Sequence, residues 1–107
     1  MPKKPMDSLT ESMFYVLMAL YFQPMCGIDI AAFIEARTGG RLRIGPATLY
    51  TILGKFEKKR YIAEIHVEGR KRTYRITDRG QLAYREEVNR LKQCVADAAA
   101  AEGGFEP

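Results

Sequence analysis

Residues 45–62 limit the possible folds of this chain more than any other stretch. Their apolar side chains recur at i, i+3, i+4 and i+7, a spacing that gives a helix one apolar stripe. These side chains are Leu49, Ile52, Leu53 and Phe56. The opposite face carries small, hydroxylic or cationic residues, namely Ala47, Thr48, Thr51, Lys55 and Lys58. Such a face suits a helix that enters a DNA groove, but an ordinary solvated basic face would look the same at this point.

Both ends of this helix are marked in the sequence. Gly45 can take the N-cap, and Pro46 suits the first helical position because its missing N–H has no intrahelical partner there. The run from Lys58 to Arg60 is cationic, and the dipole at a helix C-terminus favours positive charge. We therefore predict a helix over residues 45–60.

Positive charge is concentrated in the middle of the chain. The formal net charge is +4 and the isoelectric point is near 9.2. Residues 41–75 contain ten bases and three acids, which gives this segment a net charge of +7 and leaves the remainder negative. The bases are Arg41, Arg43, Lys55, Lys58, Lys59, Arg60, Arg70, Lys71, Arg72 and Arg75. This distribution is typical of a nucleic-acid-binding surface, with a solvated surface as the simple alternative.

Size and composition indicate one domain with a small core. The chain has 107 residues, of which 47% are hydrophobic. Its two cysteines, Cys26 and Cys94, form no CxxC pair, and no signal peptide is recognisable, so we expect a cytoplasmic protein. The longest apolar run, Met13–Phe22, is too short to cross a bilayer, so we expect no membrane partner.

The first helix should contact more than its own domain. We expect a flexible basic arm over residues 1–7 and then a capping box, Ser8-Leu9-Thr10-Glu11, which starts a helix that ends near Phe22. This helix has two apolar stripes, so we expect it to pack on its own domain and on a second subunit. The stripes are Leu9, Met13, Val16, Leu17 and Leu20 on one side, and Phe14, Met18 and Tyr21 on the other.

The middle of the chain predicts a helix-turn-helix followed by a hairpin. A second helix opens at Gly27 and ends at Thr38-Gly39-Gly40, and a short link joins it to the helix over residues 45–60. The period then changes from 3.6 to 2, and residues 62–76 are typical of two strands around a turn at Gly69. A hairpin in this place is the wing of a winged helix. Its tip is basic and consists of Arg70, Lys71 and Arg72.

A last, long helix should join two subunits. Thr77-Asp78 can cap this helix, which runs to about residue 100. Because such a helix extends past a small winged-helix core, we assign residues 78–101 to dimerisation; the alternative is a helix folded back on its own domain. Residues 102–107 should form a flexible tail. The heptad-like apolar stripe of the helix consists of Tyr84, Val88, Leu91 and Val95.

These elements predict a fold that is mainly α with a small β-hairpin (α+β), namely a winged helix-turn-helix over residues 8–77 with a long C-terminal dimerisation helix. The chain resembles the PadR-like transcriptional regulators along nearly its whole length. Its short C-terminus resembles the small subfamily that has one dimerisation helix. The matching segments are Leu9-Thr10-Glu11, Phe14 to Leu20, Gly27-Ile28, Ala47-Thr48-Leu49-Tyr50, Gly69-Arg70-Lys71-Arg72, Tyr74-Arg75-Ile76-Thr77 and Asp78 to Gly80.

The resemblance implies a homodimer that binds double-stranded DNA at pseudo-palindromic operators, usually as a repressor, and that in some members is released by a small aromatic or drug-like effector. By position, it implies DNA contacts from Thr48, Tyr50, Thr51, Lys55, Arg70, Lys71 and Arg72. Tyr50 borders the apolar stripe, so phosphate contact and interior packing are both open for it. We expect the dimer interface to include Phe14, Met18, Tyr84, Val88, Leu91 and Val95. Candidate effector-lining residues, with core packing as the alternative, are Phe14, Tyr15 and Met18.

Other classes of function have weaker support. Cys26, Cys94 and His66 could belong to a metal- or redox-sensing regulator, but they lie on three elements at no ligand-like spacing, so we expect no metal site and no cofactor. A winged helix that binds another protein instead of DNA would not need the basic wing. An enzyme is not expected, because no nucleophile, base and orienting group stand at motif spacing.

Overall fold

The computed structural model describes residues 9–104, so the predicted N-terminal arm and the end of the predicted tail lie outside the described residues. The elements are α1 (Glu11–Phe22), β1 (Met25–Cys26), α2 (Gly27–Arg37), α3 (Pro46–Lys58), β2 (Ile62–Glu68), β3 (Lys71–Ile76) and α4 (Asp78–Glu102). This arrangement confirms the predicted α+β class and the winged helix-turn-helix with a long C-terminal helix. None of the described helices combines the length and the apolar character needed to cross a bilayer.

The sheet has three strands instead of the two predicted. β3 lies in the middle, with β1 on one side and β2 on the other, and both pairings are antiparallel. In the added pair, Met25 faces Tyr74 and Cys26 faces Thr73. Two residues are too few to show a period of 2, which is why the sequence pattern does not reveal β1. β1 ties the segment before α2 to the wing, so the hairpin does not depend on helix packing alone.

The helix starts follow their capping residues. α1 begins two residues later than the Ser8 capping box predicts, because Thr10 is the N-cap and its hydroxyl accepts a hydrogen bond from the Met13 N–H at 3.1 Å. The predicted cap of α4 is confirmed, since the Thr77 hydroxyl accepts from the Gly80 N–H at 3.1 Å. Each cap satisfies a backbone donor that the first helical turn leaves without a partner.

The core lies between the helices α1, α2 and α3 and the sheet. The apolar stripe predicted for α3 is its inward face, and Phe56, its last residue, is 0% exposed. Gly45 and Pro46 stand at the N-cap and the first helical position of α3, as predicted. The hydroxyl- and lysine-bearing face of α3 therefore points outward. The core consists of Val16, Leu17, Ala19, Leu20, Met25, Ile30, Ile34, Leu49, Ile52, Leu53, Phe56, Ile62, Tyr74 and Ile76.

The helices α2 and α3 end in the same way, with a residue in the left-handed region one position after the C-cap. Gly39 has a φ of 60° after α2, and Arg60 has a φ of 62° after α3. After α3, the Tyr61 N–H bonds to the Phe56 carbonyl at 2.9 Å and the Arg60 N–H bonds to the Glu57 carbonyl at 3.0 Å. This pattern is a Schellman motif, in which glycine is the favoured residue at the left-handed position. An arginine there is strained.

Arg60→Gly is expected to raise the free energy of unfolding by about 1 kcal/mol. The relieved left-handed strain of roughly 1–2 kcal/mol exceeds the entropy that a glycine adds to the unfolded chain. The melting temperature should rise by about 4 °C or more. Gly39→Ala makes the reverse change, since it puts a side chain at a left-handed position, and it should lower the melting temperature by a similar amount. Thermal unfolding followed by circular dichroism measures both, and an Arg60→Gly chain that melts no higher than the wild type would contradict the strain.

Only the first part of α4 packs on the other elements of the described chain. A Cβ on Gly80 would overlap the carbonyl oxygen of Tyr61, so α4 approaches the segment after α3 more closely than a side chain would allow. Further along, Glu87 is 7% exposed. Residues 92–102 are exposed on every side of the helix. α4 therefore extends away from the winged helix with no covering element among the described residues.

Candidate nucleic-acid interface

The outward face of α3 presents the residues predicted to enter a DNA groove. Thr48, Thr51 and Lys55 are exposed and lie on the same side of the helix. The Thr51 hydroxyl donates to the Ala47 carbonyl at 2.9 Å, so its oxygen is left as an acceptor. Within residues 9–104, the side chains of Thr48 and Lys55 have no hydrogen bond or ion pair. This face therefore offers an acceptor, a hydroxyl and an ammonium group to a ligand.

Tyr50 lies at the edge of this face, partly packed on α2 and partly open to solvent. Its side chain is 52% exposed, and its ring lies against the first residue of α2. A Cβ at Gly27 would lie 2.9 Å from the Tyr50 hydroxyl oxygen and 3.3 Å from Cζ. Because glycine has no Cβ, the phenol ring can rest on the backbone of α2 while half of its surface stays open. One side of the Tyr50 ring therefore packs on Gly27, and the other side is open to solvent.

The wing brings three cations close to Tyr50. Gly69 takes a φ of 61° in the turn between β2 and β3, and the exposed wing cations Arg70, Lys71 and Arg72 follow it directly. Together with α3 and the start of α2 they enclose a cleft of about 370 Å³, the wing cleft. The wing cleft is lined by Cys26, Gly27, Ile28, Asp29, Tyr50, Arg70, Lys71 and Arg72. A polyanion in this cleft would meet three positive charges, one phenol and the carboxylate of Asp29.

One of the wing cations is held by an acid. Arg72 Nη1 lies 3.4 Å from Glu64 Oε1, and Glu64 stands opposite Tyr74 in the pairing of β2 with β3. The Glu64 side chain is 30% exposed, whereas that of Arg72 is 60% exposed. Within residues 9–104, Arg70 and Lys71 have no acidic partner. The wing tip therefore has two unpaired cations and a third whose position Glu64 restrains.

The aromatic residues predicted for the subunit contact also contact one another within the single chain. The rings of Phe14 and Tyr84 stack with centroids 5.3 Å apart, and those of Tyr21 and Tyr84 with centroids 4.5 Å apart. Burial raises the pKa of Tyr84 above its ordinary value, with a smaller contribution from Tyr21. The other residues predicted for this contact are half-buried Met18, Val88 and Leu91 and exposed Val95.

A groove of about 320 Å³ runs between α1 and α4. Of the three predicted effector-lining residues, Phe14 and Tyr15 line it and Met18 does not. Glu87, which sequence reasoning did not single out, is buried at its floor and accepts two hydrogen bonds from Arg90, at 2.6 and 3.0 Å. A glutamate in a heptad pattern gives no sign of burial, so no sequence signal could have found it. The α1–α4 groove is lined by Leu9, Thr10, Glu11, Phe14, Tyr15, Glu87, Arg90 and Leu91.

The thiol and imidazole side chains do not come together. Cys26 is buried and its thiol donates to the Asp29 carboxylate at 3.3 Å, whereas Cys94 is exposed on α4. His66 lies on β2, 3.8 Å from the Glu68 carboxylate. Within residues 9–104, no three His, Cys, Asp or Glu side chains form a group that could hold a metal ion. The metal-sensing alternative therefore has no ligand set in this part of the chain.

Comparisons with known proteins agree with this geometry. The family model described as transcriptional regulator PadR-like matches residues 16–86, which is more than half of the chain, whereas no curated protein matches. A solved transcriptional regulator from Clostridium thermocellum is 26% identical, covers 82% of this chain and 89% of its own, and has a TM-score of 0.74. A PadR-like transcription factor from Bacteroides fragilis shares the fold at 18% identity, with coverages of 84% and 88% and a TM-score of 0.73. Bacillus subtilis PadR, solved in complex with operator DNA, shares it at 20% identity, with coverages of 73% and 46% and a TM-score of 0.64. This chain belongs to the PadR-like family of transcriptional regulators.

Proposed function

We propose that this regulator is a cytoplasmic homodimer that binds a pseudo-palindromic operator in double-stranded DNA and represses transcription there. α3 enters the major groove, and the wing reaches the backbone or the minor groove beside it. The wing cleft carries this proposal, because Tyr50 of α3 and three wing cations face the same space. The operator complex of Bacillus subtilis PadR, which has the same fold, supports it.

The contacts with DNA divide by chemistry. Thr48 and Thr51 offer short hydroxyl groups on the outward face of α3, and short side chains let the helix sit deep enough to reach base edges. Tyr50 contributes a phenol at the edge of the groove. The remaining contacts are cationic and bind phosphates, which position the protein without reading sequence. They are Lys55, Arg70, Lys71 and Arg72.

The dimer forms through the apolar stripe of α4, which its own protomer covers only in part. Val88, Leu91 and Val95 belong to this stripe, and Val95 is 69% exposed. A second copy of α4, with α1 beside it, covers this stripe as a two-fold symmetric partner. The dimer then presents its two α3 helices to successive major grooves, about 34 Å apart.

The α1–α4 groove is the place for a small aromatic effector. Its volume of about 320 Å³ and the rings of Phe14 and Tyr15 suit a single planar ligand. Because α4 also forms the subunit contact, a ligand in the groove would favour a different angle between the protomers. A small rotation is enough to move one α3 helix out of its groove, so the effector releases DNA by shifting the population of dimer geometries.

Binding to the DNA that flanks the gene of this protein, titrated over salt concentration, tests the proposal. Sequence-specific binding with a steep salt dependence is expected, because several cations displace phosphate counterions. Weak binding that ignores sequence would contradict operator recognition and would favour a winged helix that binds another protein. Candidate aromatic effectors are then added to the preformed complex, and release of DNA is the expected result.

Glu64→Gln is expected to tighten binding to DNA by up to about eightfold at 0.1 M salt. The substitution removes the carboxylate with which a DNA phosphate competes for Arg72, so the phosphate contact of Arg72 no longer costs an ion pair, and the value of one contact, about 0.9 in the salt slope, sets the upper limit of the gain. Glu68→Gln is the matched control, since it removes the same charge from the same strand but has His66 as its neighbour. Fluorescence anisotropy measures both affinities. Equal effects of the two substitutions would show that Glu64 does not restrain Arg72.

A further inference from the structure

We propose that a second cleft, between α1 and α3, holds a backbone phosphate of the bound DNA, with Ser12 and Lys55 as its donors. This α1–α3 cleft has a volume of about 390 Å³. Residues at the start of α1 form one side of this cleft, so the proposal adds the first helix to the DNA contact. The inference rests on the proposed function, because it concerns the same bound duplex. The cleft is lined by Thr10, Ser12, Met13, Ala47, Thr48, Thr51, Ile52 and Lys55.

The lining combines unpaired donors with hydroxyls that are already engaged. The Thr10 and Thr51 hydroxyls form hydrogen bonds with backbone groups at 3.1 and 2.9 Å. Within residues 9–104, the side chains of Ser12, Thr48 and Lys55 form no hydrogen bond or ion pair. The cleft therefore has two free hydroxyls and one free ammonium group. A phosphate diester, with its negative charge and acceptor oxygens, is the matching chemistry.

The dimensions of DNA bring a strand to this cleft. The major groove is about 12 Å wide and a helix with its side chains is roughly 10–12 Å across, so groove-edge phosphates run along both flanks of an inserted helix. At 3.6 residues per turn, Tyr50 lies on one side of the outward direction of α3, and Thr48 and Lys55 lie on the other. The wing cleft lies on the first flank and the α1–α3 cleft on the second. Each cleft therefore takes one strand.

An ion pair keeps the nearest acid of α1 away from this phosphate. Glu11 stands between the two cleft residues Thr10 and Ser12, and its free carboxylate would repel a phosphate. Glu11 Oε2 instead accepts a hydrogen bond from Arg41 Nη1 at 2.8 Å, and Arg41 Nη2 lies 3.3 Å from the Tyr15 hydroxyl. Glu11 lines the α1–α4 groove and not the α1–α3 cleft. Arg41 is thus a positioning residue that neutralises Glu11 and holds it aside.

Charge changes of opposite sign at Ser12 test the cleft. Ser12→Lys should tighten binding about eightfold at 0.1 M salt and steepen the salt slope by about 0.9, and Ser12→Asp should weaken binding to a similar degree. Asn89→Lys and Asn89→Asp place the same charges on an exposed position of α4 that lines neither cleft. The probe is a fluorescein-labelled duplex of arbitrary sequence, because phosphate contacts are independent of sequence, and anisotropy is recorded over salt concentration.

The two proposals fail in distinguishable ways. Equal effects at residues 12 and 89 would overturn the phosphate cleft, and operator binding by the wild type would still stand. A wild type that binds no duplex would overturn both. For the positioning role, Arg41→Gln should weaken binding and Glu11→Gln in the same chain should restore it. Failure of that restoration would overturn the role, since it would show that Arg41 contacts DNA itself.

Discussion

Arg70→Ala combined with Arg72→Ala is expected to weaken DNA binding by roughly 60-fold at 0.1 M salt. Both side chains are exposed and line the wing cleft. Each lost phosphate contact lowers the salt slope by about 0.9, so the slope should become shallower by about 1.8. Since phosphate contacts carry no sequence information, affinity for operator DNA and for arbitrary DNA should fall alike. Anisotropy titrations at several salt concentrations measure the affinity and the slope together.

A control of equal charge separates local contact from the general field of the protein. Arg75→Ala combined with Lys92→Ala also removes two cations, but neither residue lines the wing cleft. Arg75 donates to the neighbouring Ile76 carbonyl at 3.2 Å, and Lys92 lies on the exposed part of α4. This control should lose little affinity. An unchanged affinity and slope in the wing variant, or the same loss in the control, would contradict phosphate contact by the wing tip.

The parts of the fold that depend on near neighbours could be predicted from the sequence. The inward stripe of α3 follows from a period of 3.6, and its start follows from Gly45 and Pro46. The strand β1 could not be predicted, because Met25 pairs with Tyr74 far along the chain and two residues show no period. The sequence pattern predicts a start of α1 that is too early, for a related reason. Ser8 and Thr10 are both good caps, and the pattern of residues around them does not choose between them.

The candidate site shows the same division. The basic wing and the hydroxyl face of α3 are visible as composition, so their residues could be named in advance. The contacts that hold the site residues in position join segments that are far apart in the sequence, so no spacing rule reveals them. Gly27 makes room for Tyr50 only because the fold brings α2 and α3 together. Arg41 forms an ion pair with Glu11, thirty positions earlier in the sequence, for the same reason.

Leu91→Glu is expected to split the proposed homodimer. Leu91 is half-buried where α4 leaves its protomer, and the next residue of the stripe, Val95, is 69% exposed. Two-fold symmetry turns one substitution into two new carboxylates in the interface. An unpaired buried charge costs on the order of 2 kcal/mol or more, and Glu87 in the same groove adds repulsion. The dissociation constant of the dimer should therefore rise on the order of 1,000-fold.

Sedimentation velocity over a range of protein concentrations measures the dissociation constant, because it separates a chain of 12.2 kDa from a dimer of twice that mass. Leu82→Glu is the matched control, since Leu82 is 59% exposed on the same helix but lies outside the apolar stripe, and this chain should stay dimeric. Circular dichroism should show that both variants are folded. The Leu91→Glu monomer should also bind the operator far more weakly, because a single α3 helix reaches only one half-site. A Leu91→Glu chain that still sediments as a dimer would remove the stripe of α4 from the interface and leave α1 as the element that must hold the subunits together.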